Sequence, residues 1–356
     1  MPDGLNTKLQ DKGGFPPSKL ESLGQWHETG APVTGAVALG ESIITAHGDG
    51  RLRLFAEDGS CTSLEAHNGV ILAMAFESDR SVVTGGDDGR FLRIRIDGTV
   101  DVLADFGDAW VDCVAAHETS GRVACSVGRS VHVWRTGVSK PACFEQHPST
   151  VGGIAFDSKG KRLAVAHYGG ATVWEREKRN WRSSRFEWAG SHIGVTWSPN
   201  GKFLVTVMQE NALHGWRLRD RADMRMSGYP AKPRTTAWVG NGLHLATSGA
   251  DRAVCWPFDG ESGPMNREPL LAASGGEQVA TMVCALPGQP GLLAGFQDGA
   301  VLMSTTNDEP EDMLFRGSTG VEVTAIAVTA SVKRFLIGDA EGTVFWANLQ
   351  TGDQSG

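Results

Sequence analysis

The ten histidines and six cysteines are the first place to look for metal or nucleophilic chemistry. Cys61, Cys113, Cys125, Cys143, Cys255 and Cys284 include no C-x-x-C and no pair at the spacing of zinc ligands. They read as reduced, mostly buried thiols, which fits a cytoplasmic chain. His47 and His167 hold matching places in two turn-like segments, Thr45-Ala46-His47-Gly48-Asp49-Gly50 and Ala166-His167-Tyr168-Gly169-Gly170. A catalytic zinc site needs a third ligand, and none is evident. G-x-S-x-G, H-E-x-x-H and Walker-type glycine loops are also missing. The expectation is no catalytic residue, no metal site and no cofactor.

Binding chemistry is better represented. Arg176, Lys178, Arg179, Arg182 and Arg185 crowd a stretch that also holds Trp181 and Trp188, against Glu175 and Glu177. A second basic stretch carries Arg217, Arg219, Arg221, Arg225, Lys232 and Arg234 against Asp220 and Asp223. Arginine with tryptophan is the composition of interface hot spots, where an aromatic anchors and a guanidinium pairs carboxylate or phosphate. The same charges would equally protect a sheet edge from edge-to-edge pairing. These clusters sit in a chain of net charge −8, which disfavours a general nucleic-acid or anionic-membrane binder. No apolar run approaches membrane-spanning length and no secretory leader is visible.

The elements that must position these residues repeat. Trp134, Trp174, Trp216 and Trp256 fall 40, 42 and 40 residues apart. Turn cores recur at Thr84-Gly85-Gly86-Asp87-Asp88-Gly89, Gly295-Phe296-Gln297-Asp298-Gly299 and Gly338-Asp339-Ala340-Glu341-Gly342. Each lies between two short runs of β-formers, and Asp-Gly or Gly-Gly there accepts the positive φ of a hairpin. An earlier, nearly continuous apolar run (Val70 to Phe76, Val151 to Phe156, Ala325 to Val328) suits a strand buried on both faces. A more polar fourth strand follows, for example Arg182 to Trp188. A unit of about 40 residues is thus a four-stranded antiparallel sheet that must stack radially to bury its faces. Inner strands start near Val33, Val70, Val111, Val151, Ile193, Thr235, Val279 and Val323, which predicts eight units, with seven as the alternative. Ser18 to His27 looks like an unpartnered outer strand that closes the ring beside Trp346. The expected organisation is a tail over 1–17, one domain over 18–350 and a polar tail over 351–356.

These residues resemble the WD40-repeat family of β-propellers over roughly 18–350. The family's Gly-His appears as Trp26-His27, Ala66-His67, Gln146-His147 and Ser191-His192, and its Ser-Pro-Asp-Gly-Lys turn is similar to Ser198-Pro199-Asn200-Gly201-Lys202. Of its Trp-Asp ending only the Trp survives, in Trp134, Trp174, Trp216 and Trp256. The resemblance implies a blade network of His, Ser/Thr, Asp and Trp. His27, Thr45 and Asp49 match it in the first unit, with Phe55 at the Trp position. His67, Thr84 and Asp88 match in the second, and His147 with Trp174 in the fourth. These are structural roles.

The resemblance further implies a non-enzymatic scaffold for a protein or peptide partner. Partners in the family commonly meet the narrow face and channel mouth, here Asp87, Arg129, Tyr168 and Gln209. The basic clusters lie on outer strands of units four and five. The competing reading is a hydrolase or metal-dependent enzyme in the channel, to which Asp112 and Glu322 would contribute. Two carboxylates are too few for a calcium cage. The departures from the blade network and the lack of an attached domain suggest a stand-alone bacterial propeller, monomeric by itself.

Overall fold

A computed structural model describes residues 14–145, 147–178 and 180–349. All long elements are antiparallel strands, and the only helical segments among the described residues are the short 3-10 turns Lys19–Leu23 and Gly240–Gly242. Six sheets have four strands each. The first blade runs Val33–Leu39, Ser42–His47, Arg51–Phe55 and Cys61–Glu65, and the 71–105 and 113–144 blades repeat this order. The 236–274 and 280–316 blades do the same further along the chain.

The closing blade combines Val323–Val328, Arg334–Asp339 and Thr343–Asn348 with Gly24–Glu28 from the other end of the chain. Trp26 lies opposite Phe345 and His27 opposite Val344, so the N-terminal strand covers the last edge as expected. That strand is shorter than expected. Residues 18–23 instead form a 3-10 turn, because Ser18 caps Leu20 and Glu21 returns a hydrogen bond to the Ser18 N–H, a capping box. Of the segment expected as a tail, the described part lies against the ring, where Phe15 exchanges hydrogen bonds with Ser318.

The blade count departs from the expected eight. There are seven sheets, and the fourth is double width, with six strands from Gly153–Phe156 to Asp223–Met226. The sequence units four and five are both inside it. Arg162–Glu177 turns back on itself at residues 167–170, so that at its open end the Arg176 N–H reaches the Lys161 carbonyl. Asn180–Trp197 then pairs with Arg162–Glu177 through one half and with Phe203–Met208 through the other. The corner stays continuous because Tyr168 pairs with Ser191, while Gly170 and Gly190 take φ of 130° and 128° that only glycine adopts readily.

The core lies between neighbouring sheet faces rather than at a single centre. Val83 and Phe91 of one blade meet Val123, Cys125 and Trp134 of the next. Within the double-width sheet, Ala164, Val173 and Phe186 pack on Trp197, Leu204 and Trp216, so its two halves also face each other. The turn cores and the links between blades share one face, tied by repeated backbone bonds such as His67 N–H to Gly50 O and Phe106 N–H to Gly89 O.

Candidate functional site

Several histidines are held by hydrogen bonds within the blades. His67 donates from Nδ1 to Asp88 at 2.8 Å, and its Nε2 accepts the Thr84 hydroxyl at 2.8 Å. The His147 Nδ1–H reaches the Arg129 carbonyl at 2.9 Å, leaving Nε2 to accept the Trp174 indole N–H at 3.1 Å. His192 bonds Thr206 at 2.7 Å and sits beside Trp216. Trp134 packs on Phe91. In each imidazole burial disfavours the proton, so the pKa falls below the usual 6.5.

The expected first-unit network of His27, Thr45 and Asp49 does not form. Thr45 bonds Nε2 of His47 at 2.8 Å, because these two residues share one face of Ser42–His47. His27 belongs to the closing strand and stands edge-on to Phe55 at 5.1 Å. Asp49 instead pairs with Arg53 at 2.8 Å. In the 236–274 blade the family's histidine role falls to Tyr229, whose hydroxyl accepts the Trp256 N–H and bonds Thr247. Sequence reading missed it, although Tyr229 precedes Trp256 by the same 27 residues that separate His147 from Trp174.

His47 and His167 are not paired with each other. His167 donates to the Tyr168 carbonyl and accepts from Thr172, both within its own turn. Glu322 forms an ion pair with Arg234. Asp112 stands half-buried, and burial raises its pKa. No group of three His, Cys, Asp or Glu side chains that could hold a metal occurs among the described residues.

The basic clusters divide. Arg217 chelates Asp220 at 3.0 and 2.7 Å, while Arg219 pairs with Glu261 at 2.9 Å, as does Lys202 at 2.5 Å. These charges face the 236–274 blade and are largely neutralised. Arg176 lies over the Trp181 ring at 5.7 Å, and Arg122 of the preceding blade lies over the same ring at 5.9 Å. Arg182 is exposed near Glu177, and Lys178 occupies the hairpin tip at φ 51°. Arg179 lies outside the described residues, as does Gln146. The two clusters are turned toward opposite seams, the first toward the 113–144 blade and the second toward the 236–274 blade.

The turn face brings other residues together. Tyr168 is 62% exposed, and Trp110 in the link before Cys113–His117 is 59% exposed. Arg129 is exposed but anchored, its Nε donating to the His147 carbonyl at 2.6 Å. Asp87 leans on the Gly69 backbone, where an added Cβ would meet its Oδ1, and Gln209 accepts from Lys232 at 3.2 Å. Beside Tyr168 opens a pocket of about 560 Å³, walled by His167, Arg185, Phe186, Glu187 and Trp188. Arg185, Phe186 and Glu187 also line a second hollow down the rim, shared with Trp216, Arg221 and Asp223. Arg221 crosses between them, donating to the Arg185 carbonyl at 2.9 Å with its guanidinium over Phe186.

A ring of antiparallel sheets closed by the chain's own N-terminal strand defines the protein as a β-propeller. Residues 59–92 match the family model described as WD domain, G-beta repeat, consistent with the WD40-repeat propellers. The solved structure of the computationally designed Ika8 protein is similar in fold, with a TM-score of 0.72 and 16% identity, covering 90% of this chain and 98% of that one. No curated protein matches the chain. WD40 propellers commonly mediate protein–protein interaction and are generally non-enzymatic. No helix among the described residues is long and apolar enough to cross a membrane.

Proposed function

We propose that the protein is a non-enzymatic interaction platform that holds a protein or peptide through the turn face and adjoining rim of the double-width blade. The observation that carries this reading is Tyr168 standing exposed beside Arg185, whose guanidinium has no partner among the described residues, at the mouth of a pocket of about 560 Å³. An exposed aromatic beside an unpaired guanidinium is what a hot spot offers before its partner arrives. Loops on a rigid scaffold favour recognition, and Tyr168 sits on a turn pinned by the Ser149 hydroxyl at 2.8 Å. The net charge of −8 favours a protein over nucleic acid. Six free cysteines suit a reducing, cytoplasmic setting, in which the chain is monomeric by itself.

Affinity capture tests the reading with three proteins: the wild type, Tyr168→Ala/Arg185→Ala, and the rim variant Arg182→Ala/Arg219→Ala. The expected result is a partner recovered by the first and third and lost by the second. Equal recovery by all three removes the turn face from the account.

A further inference from the structure

We propose that Cys143 is a thiol modification site, activated by His132, that forms a mixed disulfide with a low-molecular-weight disulfide at the outer end of the seam between the 71–105 and 113–144 blades. Cys143 lies directly across from His132 on neighbouring strands, and its Sγ is 3.3 Å from Nδ1. A nucleophile within hydrogen-bond reach of a base is the arrangement that nucleophilic thiols need. The flanking Phe144 is buried and stacks on Trp174 at 4.2 Å, toward the double-width blade. Strand alternation therefore turns Cys143 the other way, onto the face where His132 packs against Phe106 at 4.9 Å. Burial lowers the His132 pKa below the usual 6.5, so the ring is neutral and able to accept a proton, and the charge of Glu145, two residues beyond Cys143, offsets that lowering only in part. Cys125 is the other cross-strand neighbour of His132, and Cys143 remains exposed.

The other thiols lack this setting. Burial pushes Cys113 up to about 11 and Cys255 and Cys284 up to about 12, and raises Cys125 as well. Cys61 is exposed, but burial of its sulfur raises its pKa, and its strand partner is Phe55 rather than a base. Nor can Cys143 resolve onto Cys125. Both pair with His132 from opposite sides, which places them two strand spacings apart, about 10 Å, beyond the reach of a disulfide at about 7 Å. The partner sulfur must come from outside. His132 Nδ1 takes the thiol proton, and the thiolate attacks one sulfur of the small disulfide. That S–S bond breaks, the Cys143 mixed disulfide forms, and the second sulfur leaves as a thiolate.

The test uses the full chain with oxidised glutathione between pH 6 and 9, with adducts mapped by peptide mass spectrometry. Wild type, Cys143→Ser, His132→Gln and Glu145→Gln are compared, with Cys61 as the internal reference. The first adduct is expected on Cys143, ahead of Cys61. His132→Gln is expected to slow Cys143 by about threefold or more, with Cys61 unchanged. Glu145→Gln, an exposed change that spares the fold, slows Cys143 by less. Cys143 reacting no faster than Cys61 overturns the proposal. So does an unchanged Cys143 rate in a His132→Gln protein whose Cys61 rate shows it folded.

Discussion

Trp256 donates its indole N–H to the Tyr229 hydroxyl at 2.6 Å, and that hydroxyl bonds Thr247 at 2.6 Å. Thr247 in turn donates to the Val254 carbonyl at 3.1 Å, so one directed chain crosses the blade from outer link to inner sheet. Burial pushes the Tyr229 phenol up to about 12, which keeps it protonated and able to pass the chain on. Tyr229→Phe keeps the ring and removes the bridge, leaving the buried Trp256 N–H without an acceptor and the Thr247 oxygen without a donor. A loss of about 1–3 kcal/mol in urea unfolding is expected. An unchanged midpoint would show that the chain contributes nothing.

Acid should loosen the fold through His214. This side chain is fully buried, stacked on Trp188 at 3.9 Å and set against Trp216 at 4.8 Å, with neither ring nitrogen hydrogen-bonded. Burial lowers its pKa to about 4, from 6.5. Between those values the unfolded chain binds the proton and the folded chain does not, so stability is full above about pH 6.5 and falls as pH drops toward 4. The slope for one such group approaches about 1.4 kcal/mol per pH unit. His214→Phe keeps the stack and removes the titration. Its Tm is expected to fall less than the wild type's between pH 6.5 and 4.5, and parallel curves would exclude His214 as the cause.

Two glycines with similar backbone separate local strain from close approach. Gly89 has φ 75° and Gly98 has φ 86°, but a Cβ on Gly89 would meet the Gly107 carbonyl oxygen at 1.8 Å, while Gly98 has nothing within 4 Å. Gly98→Ala should cost about 1–2 kcal/mol of left-handed strain. Gly89→Ala should cost clearly more, because the link from the 71–105 blade must move. Equal losses in thermal unfolding would mean that the link is loosely held.

How much of this was legible in sequence depends on what each residue reports. Trp spacing and Asp-Gly turns report local hairpins, so the four-stranded units and the N-terminal closing strand could be read directly. The merging of two units into one wide sheet could not. It depends on Tyr168 pairing with Ser191 through two glycine corners, a contact between units rather than within one. The basic run was visible as composition, yet its partner Glu261 lies 42 residues from Arg219, and only folding brings it there. Tyr229 was hidden because a phenol replaced the expected imidazole at the same distance from its tryptophan.

Ring closure carries its own expectation. Deleting residues 1–28 strips the partner of Thr343–Asn348 and leaves a paired-off edge bare. The truncated chain should self-associate and melt lower than the full chain, as bare edges template pairing. A monomer of unchanged Tm, by size-exclusion chromatography and calorimetry, would mean that the N-terminal strand is dispensable.

The interaction reading is tested most directly by placing a photo-crosslinking amino acid at position 168 and, separately, at 102, where Val102 is also exposed but lies on the outer strand Val100–Asp105. The expected result is one discrete crosslinked protein from position 168 that is absent from position 102. Identical labelling from both positions, or none from 168 in cells where the protein is expressed, would contradict a partner-binding turn face.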